Sequence, residues 1–323
     1  MRFSQAEILD IARSDGFDEG TVEKVLHLTH LLNVLNSHPS LSGKWVLKGG
    51  TALNLFVLRL PRLSVDIDLN YIGALGREDM LADRPRIEQA AQAVFSREGF
   101  TVRRVPGEHA GGKWRLSYPS FTGHPANLEV DFNFMYRQPL WEIHHADSYP
   151  LGDFQAKRVP ILDLHELTAG KLSALFSRRQ ARDLFDCHRI FDAFELQRER
   201  LRTAFVAYGG MNRRDWRTVS ADDVDFDSVE LAKQLAPTLR TRPPRDQEAL
   251  AGYGARLVEE SRRALAAILP FTDAERAFLD LLLDRGEIDG SLLTSDTTLQ
   301  QRIRTQPLLE WKALNVRRHK GLS

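Results

Sequence analysis

The stretch SVDIDLNYI, residues 64–72, alternates apolar and polar side chains along its whole length. In an extended chain, residues two apart share a face. Val65, Ile67, Leu69 and Tyr71 then form an apolar row that anchors a strand to a core, and Ser64, Asp66, Asp68 and Asn70 line the other side. That second row sets two carboxylates one residue apart. Like charges so close disfavour joint ionisation unless a cation lies between them. A hard divalent ion such as Mg²⁺, or Mn²⁺ in its place, takes a few carboxylate oxygens and completes its shell with substrate phosphates and water.

Further along, LEVDFNFMY (128–136) repeats the pattern. Leu128, Val130, Phe132 and Phe134 make the apolar row, and Glu129, Asp131 and Asn133 face oppositely. With the two strands as neighbours, Asp131 adds a third carboxylate. An amphipathic strand with a solvated acidic face accounts for either stretch alone; the two together, with what precedes them, favour a metal site.

Upstream lies VLKGGTALNLF (46–56). A short buried strand at Trp45-Val46-Leu47 enters Gly49-Gly50, after which a helix is expected from Thr51 through Ala52 to about Leu58. Glycines let the backbone approach a ligand without a Cβ clash, and a helix N-terminus offers unpaired N–H groups to a phosphate. Thr51 can add a hydroxyl donor. Gly-Gly-Thr also serves as an ordinary turn and helix cap. The spacing of a Walker loop is absent, and Ala169-Gly170-Lys171-Leu172-Ser173 resembles one only superficially, because it sits within a helical pattern.

That helical pattern is ILDLHELTAGKLSALFSRR (161–179), with an apolar stripe of Leu164, Leu167, Leu172, Leu175 and Phe176. Lys171 falls near the middle of the stripe. Burying an ammonium without a partner is costly, so the sequence demands either a structural carboxylate or a substrate phosphate beside it. The next helix, RDLFDCHRIFDAF (182–194), offers Asp183 and Asp186 as candidates.

Around these segments, residues 4–35 read as two amphipathic helices broken near Asp15-Gly16, and Arg84 to Glu98 as another helix. Strands are expected near 100–104 and 114–118. From Leu162 onward the pattern is helical, with loops at Gly209-Gly210 and around Pro237 to Arg245. The expected architecture is α+β: a catalytic domain with N-terminal helices over 1–160, then a helical domain over 161–323 that completes the site and contacts RNA.

Composition excludes more than it selects. The 323 residues are 42% hydrophobic and 27% charged, with 44 basic and 44 acidic side chains, so net charge names no partner. Residues 177–217 are rich in arginine and suit either a solvated face or a polyanion. One cysteine, Cys187, rules out a disulfide within the chain, and no Cys/His cluster suggests zinc. The sequence lacks a membrane-length apolar run and a signal-peptide pattern, which predicts a cytoplasmic setting.

Together KGGTALNL (48–55), RLSVDIDL (62–69), EVDFNF (129–134) and KLSALFSRRQARDLFD (171–186) resemble the AbiEii toxin family of nucleotidyltransferases, related to the DNA-polymerase-β-like superfamily. The motifs span roughly the first 195 residues. The resemblance implies a polymerase-β-like domain with a small mixed sheet, Asp66 and Asp68 as metal ligands, and Lys171 contacting the triphosphate. It also implies that Asp186 completes the active site and that Gly49, Gly50, Thr51 and Ser64 line the nucleotide pocket. Asp131 as a further ligand rests on strand geometry. Family members act as toxins of bacterial toxin–antitoxin pairs. Relatives transfer nucleotides, often pyrimidines, to the acceptor end of tRNA and block translation, whereas others are linked to GTP binding and phage abortive infection. The expected partners are therefore a nucleoside triphosphate, tRNA and a cognate antitoxin, with the protein a monomer. The rival class is a GTP-binding regulatory module that transfers nothing. A DNA-binding regulator lacks a visible basic helix-turn-helix, and a phosphohydrolase would want histidines beside the carboxylates.

Overall fold

Alternation of apolar and polar residues builds one mixed sheet of seven strands: β1 (Trp45–Lys48), β2 (Asp66–Tyr71), β3 (Thr101–Arg104), β4 (Gly111–Pro119), β5 (Pro125–Asn133), β6 (His144–Ala146) and β7 (Val159–Ile161). The computed structural model describes residues 3–104, 111–240 and 246–321. The spatial order is β3-β4-β5-β2-β1-β7-β6. Centrally, β2 runs antiparallel to β1 and parallel to β5. The strands expected from alternation are present, and the sheet is mixed as expected. β6 and β7 were not anticipated: three residues are too few to display a period, and Pro160 breaks the look of a strand.

Two helices precede the sheet. α1 (Gln5–Asp15) starts on a Ser4/Glu7 capping box and stops at Gly16, whose φ of 73° is left-handed. α2 (Glu19–Ser37) starts on Asp18 and buries Val22, Val25, Leu26, Leu31 and Leu35. The turn after β1 is helical from Gly49 itself: α3 (Gly49–Thr51) passes into a π-helical turn, Ala52–Val57. α4 (Arg77–Arg97) begins at Arg77, not Arg84, and carries Pro85 inside it. Its buried side chains leave a wide gap between Met80 and Ile87, so the apolar period becomes visible only in its second half.

The chain divides into two compact units. The first comprises Met1–Arg137, Ile143–Leu162 and Ala236–Pro243 and holds the sheet. Its last segment is tied in by Leu63 N–H donating to Thr238 at 2.8 Å. The second comprises Gln138–Glu142, Asp163–Leu235 and Pro244–Ser323. Its long elements are helices: α5 (Leu164–Arg178), α6 (Ala181–Ala193), α7 (Arg198–Gly210), a short α8 (Ser228–Glu230), α9 (Gln247–Leu265), α10 (Asp273–Asp280), α11 (Thr297–Arg304) and α12 (Pro307–Lys320). The loop expected at Gly209-Gly210 is instead the last turn of α7. These glycines serve packing: a Cβ on Gly209 would lie 1.9 Å from the Trp216 indole. Of the loop expected around Pro237 to Arg245, residues 241–245 lie outside the described residues. No described helix is long and apolar enough to cross a membrane.

Candidate active site

The apolar row of β2 is buried as alternation requires, with Ile67, Leu69 and Tyr71 fully covered, while Asp66 and Asp68 are half-buried on the opposite face. Pairing with β5 sets Asp68 opposite Asp131 and Asp66 opposite Glu129. Directly paired residues project to one side of a sheet, so the four acids form two adjacent ranks. Two lysines border them. Lys48 pairs with Asp68 across β1, and Lys113 of β4 pairs with Asp131. Lys113 Nζ lies 3.0 Å from Glu129, which Arg115 also approaches at 3.3 Å. Burial pushes the Asp131 carboxyl up from the usual carboxylate range; the neighbouring Asp68 and Glu129 add to this, and Lys48 and Lys113 oppose it. Glu129 moves the other way: Lys113 and Arg115 overcome its burial and hold it low.

The glycine turn leans on the same carboxylates. Gly49 has φ of 72°, and a Cβ there would stand 2.5 Å from Asp68 Oδ2. Only glycine satisfies both the left-handed backbone and that approach. Thr51 is fully buried, and its hydroxyl donates to the Asp66 carbonyl, so it braces the strand. Asn54 Nδ2 donates to the Gly50 carbonyl at 2.9 Å and holds the turn from behind. Ser64 is buried just ahead of β2. The structure thus brings together Gly49, Thr51, Asp66, Asp68 and Asp131. Among the described residues, no three His, Cys, Asp or Glu side chains are gathered closely enough to enclose an ion by themselves.

A separate cluster lies in the second unit. Lys171 of α5 is buried, and Nζ reaches both aspartates of α6, Asp183 at 3.0 Å and Asp186 at 2.8 Å. The structural-carboxylate alternative for this lysine is therefore realised twice. Arg178 adds a two-pronged contact to Asp183, at 2.7 and 3.0 Å, giving two cations and two anions. Burial would raise the Asp183 carboxyl, yet Lys171 and Arg178 hold it below the ordinary range. Nearby Cys187 is fully covered, and burial pushes its thiol up.

Lys48 and Lys113 were not anticipated from the sequence, and Arg178 was expected only as one of the arginines of 177–217. Lys48 adjoins the glycine pair, and the alternation of β4 sets Lys113 on its polar face, but pairing with Asp131 depends on register, which one strand's sequence does not carry.

The seven-stranded mixed sheet thus carries an acidic pair on a central strand against a glycine turn. The whole chain is similar to MenT4, a nucleotidyltransferase toxin from Mycobacterium tuberculosis H37Rv, with a TM-score of 0.63 and 17% identity over 98% of this chain and 99% of that one. No curated protein matched in sequence. The model of the family described as nucleotidyl transferase AbiEii toxin, type IV TA system, matches residues 30–312. The chain belongs to this family of toxin–antitoxin nucleotidyltransferases.

Proposed function

We propose that this protein transfers nucleotides, pyrimidines by preference, from a nucleoside triphosphate to the 3′ acceptor end of tRNA and so blocks translation. The observation that carries the proposal is the register placing Asp66 and Asp68 beside Asp131, with Gly49 pressed against the Asp68 carboxylate. The donor set fits a divalent ion: oxygen ligands only, half-buried, mutually repulsive, and too few to enclose a cation without phosphate and water. Asp66 and Asp68, with Asp131 alongside, would hold Mg²⁺ or Mn²⁺. Such an ion neutralises phosphate charge and eases loss of the hydroxyl proton.

The chain's own groups do the rest. In the proposed reaction the RNA 3′-hydroxyl loses its proton to solvent, its oxygen bonds to the α-phosphorus, and the bond from that phosphorus to the oxygen bridging to the β-phosphate breaks, releasing pyrophosphate. Asp131 accepts a hydrogen bond from the 3′-hydroxyl and orients it. Gly49 and Gly50, having no side chains, admit the triphosphate close to the backbone, with Ser64 at the pocket wall. Of the ten arginines in 177–217, seven (Arg178, Arg179, Arg189, Arg200, Arg202, Arg214 and Arg217) are engaged in ion pairs within the chain, which leaves less of this stretch to hold RNA.

Incubation with each of the four labelled nucleoside triphosphates and total tRNA tests this. Label from CTP or UTP on RNA 3′ ends is the expected result. GTP retained by the protein with no label on RNA would establish the regulatory alternative instead.

A further inference from the structure

A concavity lies within the first unit, on the opposite face of the sheet from the carboxylates. Along β4, Trp114 pairs with Val130 and Leu116 with Leu128, both in the apolar row of β5, and Tyr118 continues that row. Lys113 and Arg115 pair with Asp131 and Glu129 on the other side. Tyr118 lines a cavity of about 500 Å³ together with Glu23 and His27 of α2, Phe100, Phe121 and Phe3.

Its walls are aromatic. The His27 ring lies 4.3 Å from Tyr118, 4.9 Å from Phe3 and 5.7 Å from Phe100, measured between centroids. Burial lowers His27 to about 4, so the ring is neutral near pH 7 and places no positive charge in the wall. Two polar groups are set among these rings. Glu23 is 4% exposed and accepts a hydrogen bond from Phe121 N–H at 2.7 Å, and among the described residues no cation lies within hydrogen-bonding reach of it. Tyr118 is also 4% exposed, and its hydroxyl finds no partner among the described residues. A buried carboxylate and an unmet buried hydroxyl are both costly.

We propose that this cavity is a binding site for a small organic cation carrying an ammonium or guanidinium group. Aromatic faces attract such a cation, the Glu23 carboxylate gives it a charge-assisted hydrogen bond, and Tyr118 Oη accepts a further N–H. Glu98 at the cavity edge is already paired with His30 and with Arg97, so the charge an anion would meet among the rings is that of Glu23, and an apolar ligand would leave both polar groups unmet. The volume falls in the range of sites for free small molecules. This site stands independently of the transferase chemistry across the sheet.

Isothermal titration of the full chain with agmatine and with spermidine tests it, alongside glutarate as an anion and benzyl alcohol as a neutral ring. The cations bind saturably below millimolar concentration and the controls do not. Glu23→Gln weakens cation binding roughly tenfold. Tyr118→Phe keeps the ring and loses only the hydroxyl, and it weakens binding by a smaller factor; circular dichroism confirms that both variants fold. His27 ring proton resonances shift on binding, which places the ligand. Absence of saturable cation binding, binding undiminished in both folded variants, or equal binding of glutarate or benzyl alcohol would each overturn the proposal.

Discussion

Substituting Gly49 tests the closest approach in the proposed site. Gly49→Ala places a methyl 2.5 Å from Asp68 Oδ2 on a backbone with φ of 72°. The expected outcome is a loss of about 1–2 kcal/mol in chemical denaturation, with a larger fall in transfer rate as Asp68 is displaced. Lys171→Met leaves two buried aspartates short of a cation and is expected to cost roughly 3–5 kcal/mol. Arg178 still serves Asp183, so adding Asp186→Asn to Lys171→Met should recover part of that loss in the same denaturation series. At this scale the sequence was most legible. The acids of 64–72 stand out because alternation separates them from the core row, and Lys171 stands out because it interrupts an apolar stripe. That Lys171 meets both Asp183 and Asp186 depended on how α5 and α6 pack, which single-helix periodicity leaves open.

The helix α5 carries a second buried titratable group, Glu166. It accepts hydrogen bonds from Tyr208 Oη at 2.9 Å and from the Trp141 N–H at 3.2 Å. Burial raises its carboxyl to about 7, despite these donors. The folded state therefore holds a proton that the unfolded chain releases above the ordinary Glu value. This contribution to stability is full below that value, shrinks as pH climbs from about 4.5 toward about 7, and levels off above. Its size is on the order of 3 kcal/mol. Thermal or denaturant unfolding across that window should show the decline, and Glu166→Gln should flatten it; an unchanged slope in the variant would assign the effect elsewhere. Among the elements, α1, α2, β1, β2 and β5 were visible from their apolar patterning. β6 and β7 were too short to show one, and the first half of α4 lacked the apolar spacing that announces a helix. Gly209 and Gly210 looked like a loop, because the demand of Trp216 for space against α7 is a tertiary fact.

Over the whole molecule, the family match runs from residue 30 to residue 312, well past the motifs that ended near 195. The later helices offered no signature because their side chains chiefly fill a core and pair charges. Arg202 with Glu275, and Arg217 with Asp215, Asp280 and Asp284, use cationic groups that composition alone offered to a polyanion. The division into units is likewise discontinuous in sequence, with 236–243 returning to the sheet-bearing unit. The proposed transfer depends on Asp66 and Asp68, and the most direct test is the rate at which label from a nucleoside triphosphate reaches tRNA. Asp66→Asn and Asp68→Asn are each expected to lower that rate roughly a thousandfold or more, with circular dichroism and thermal unfolding like those of the parent chain. Transfer at the parental rate by either folded variant would contradict the assignment.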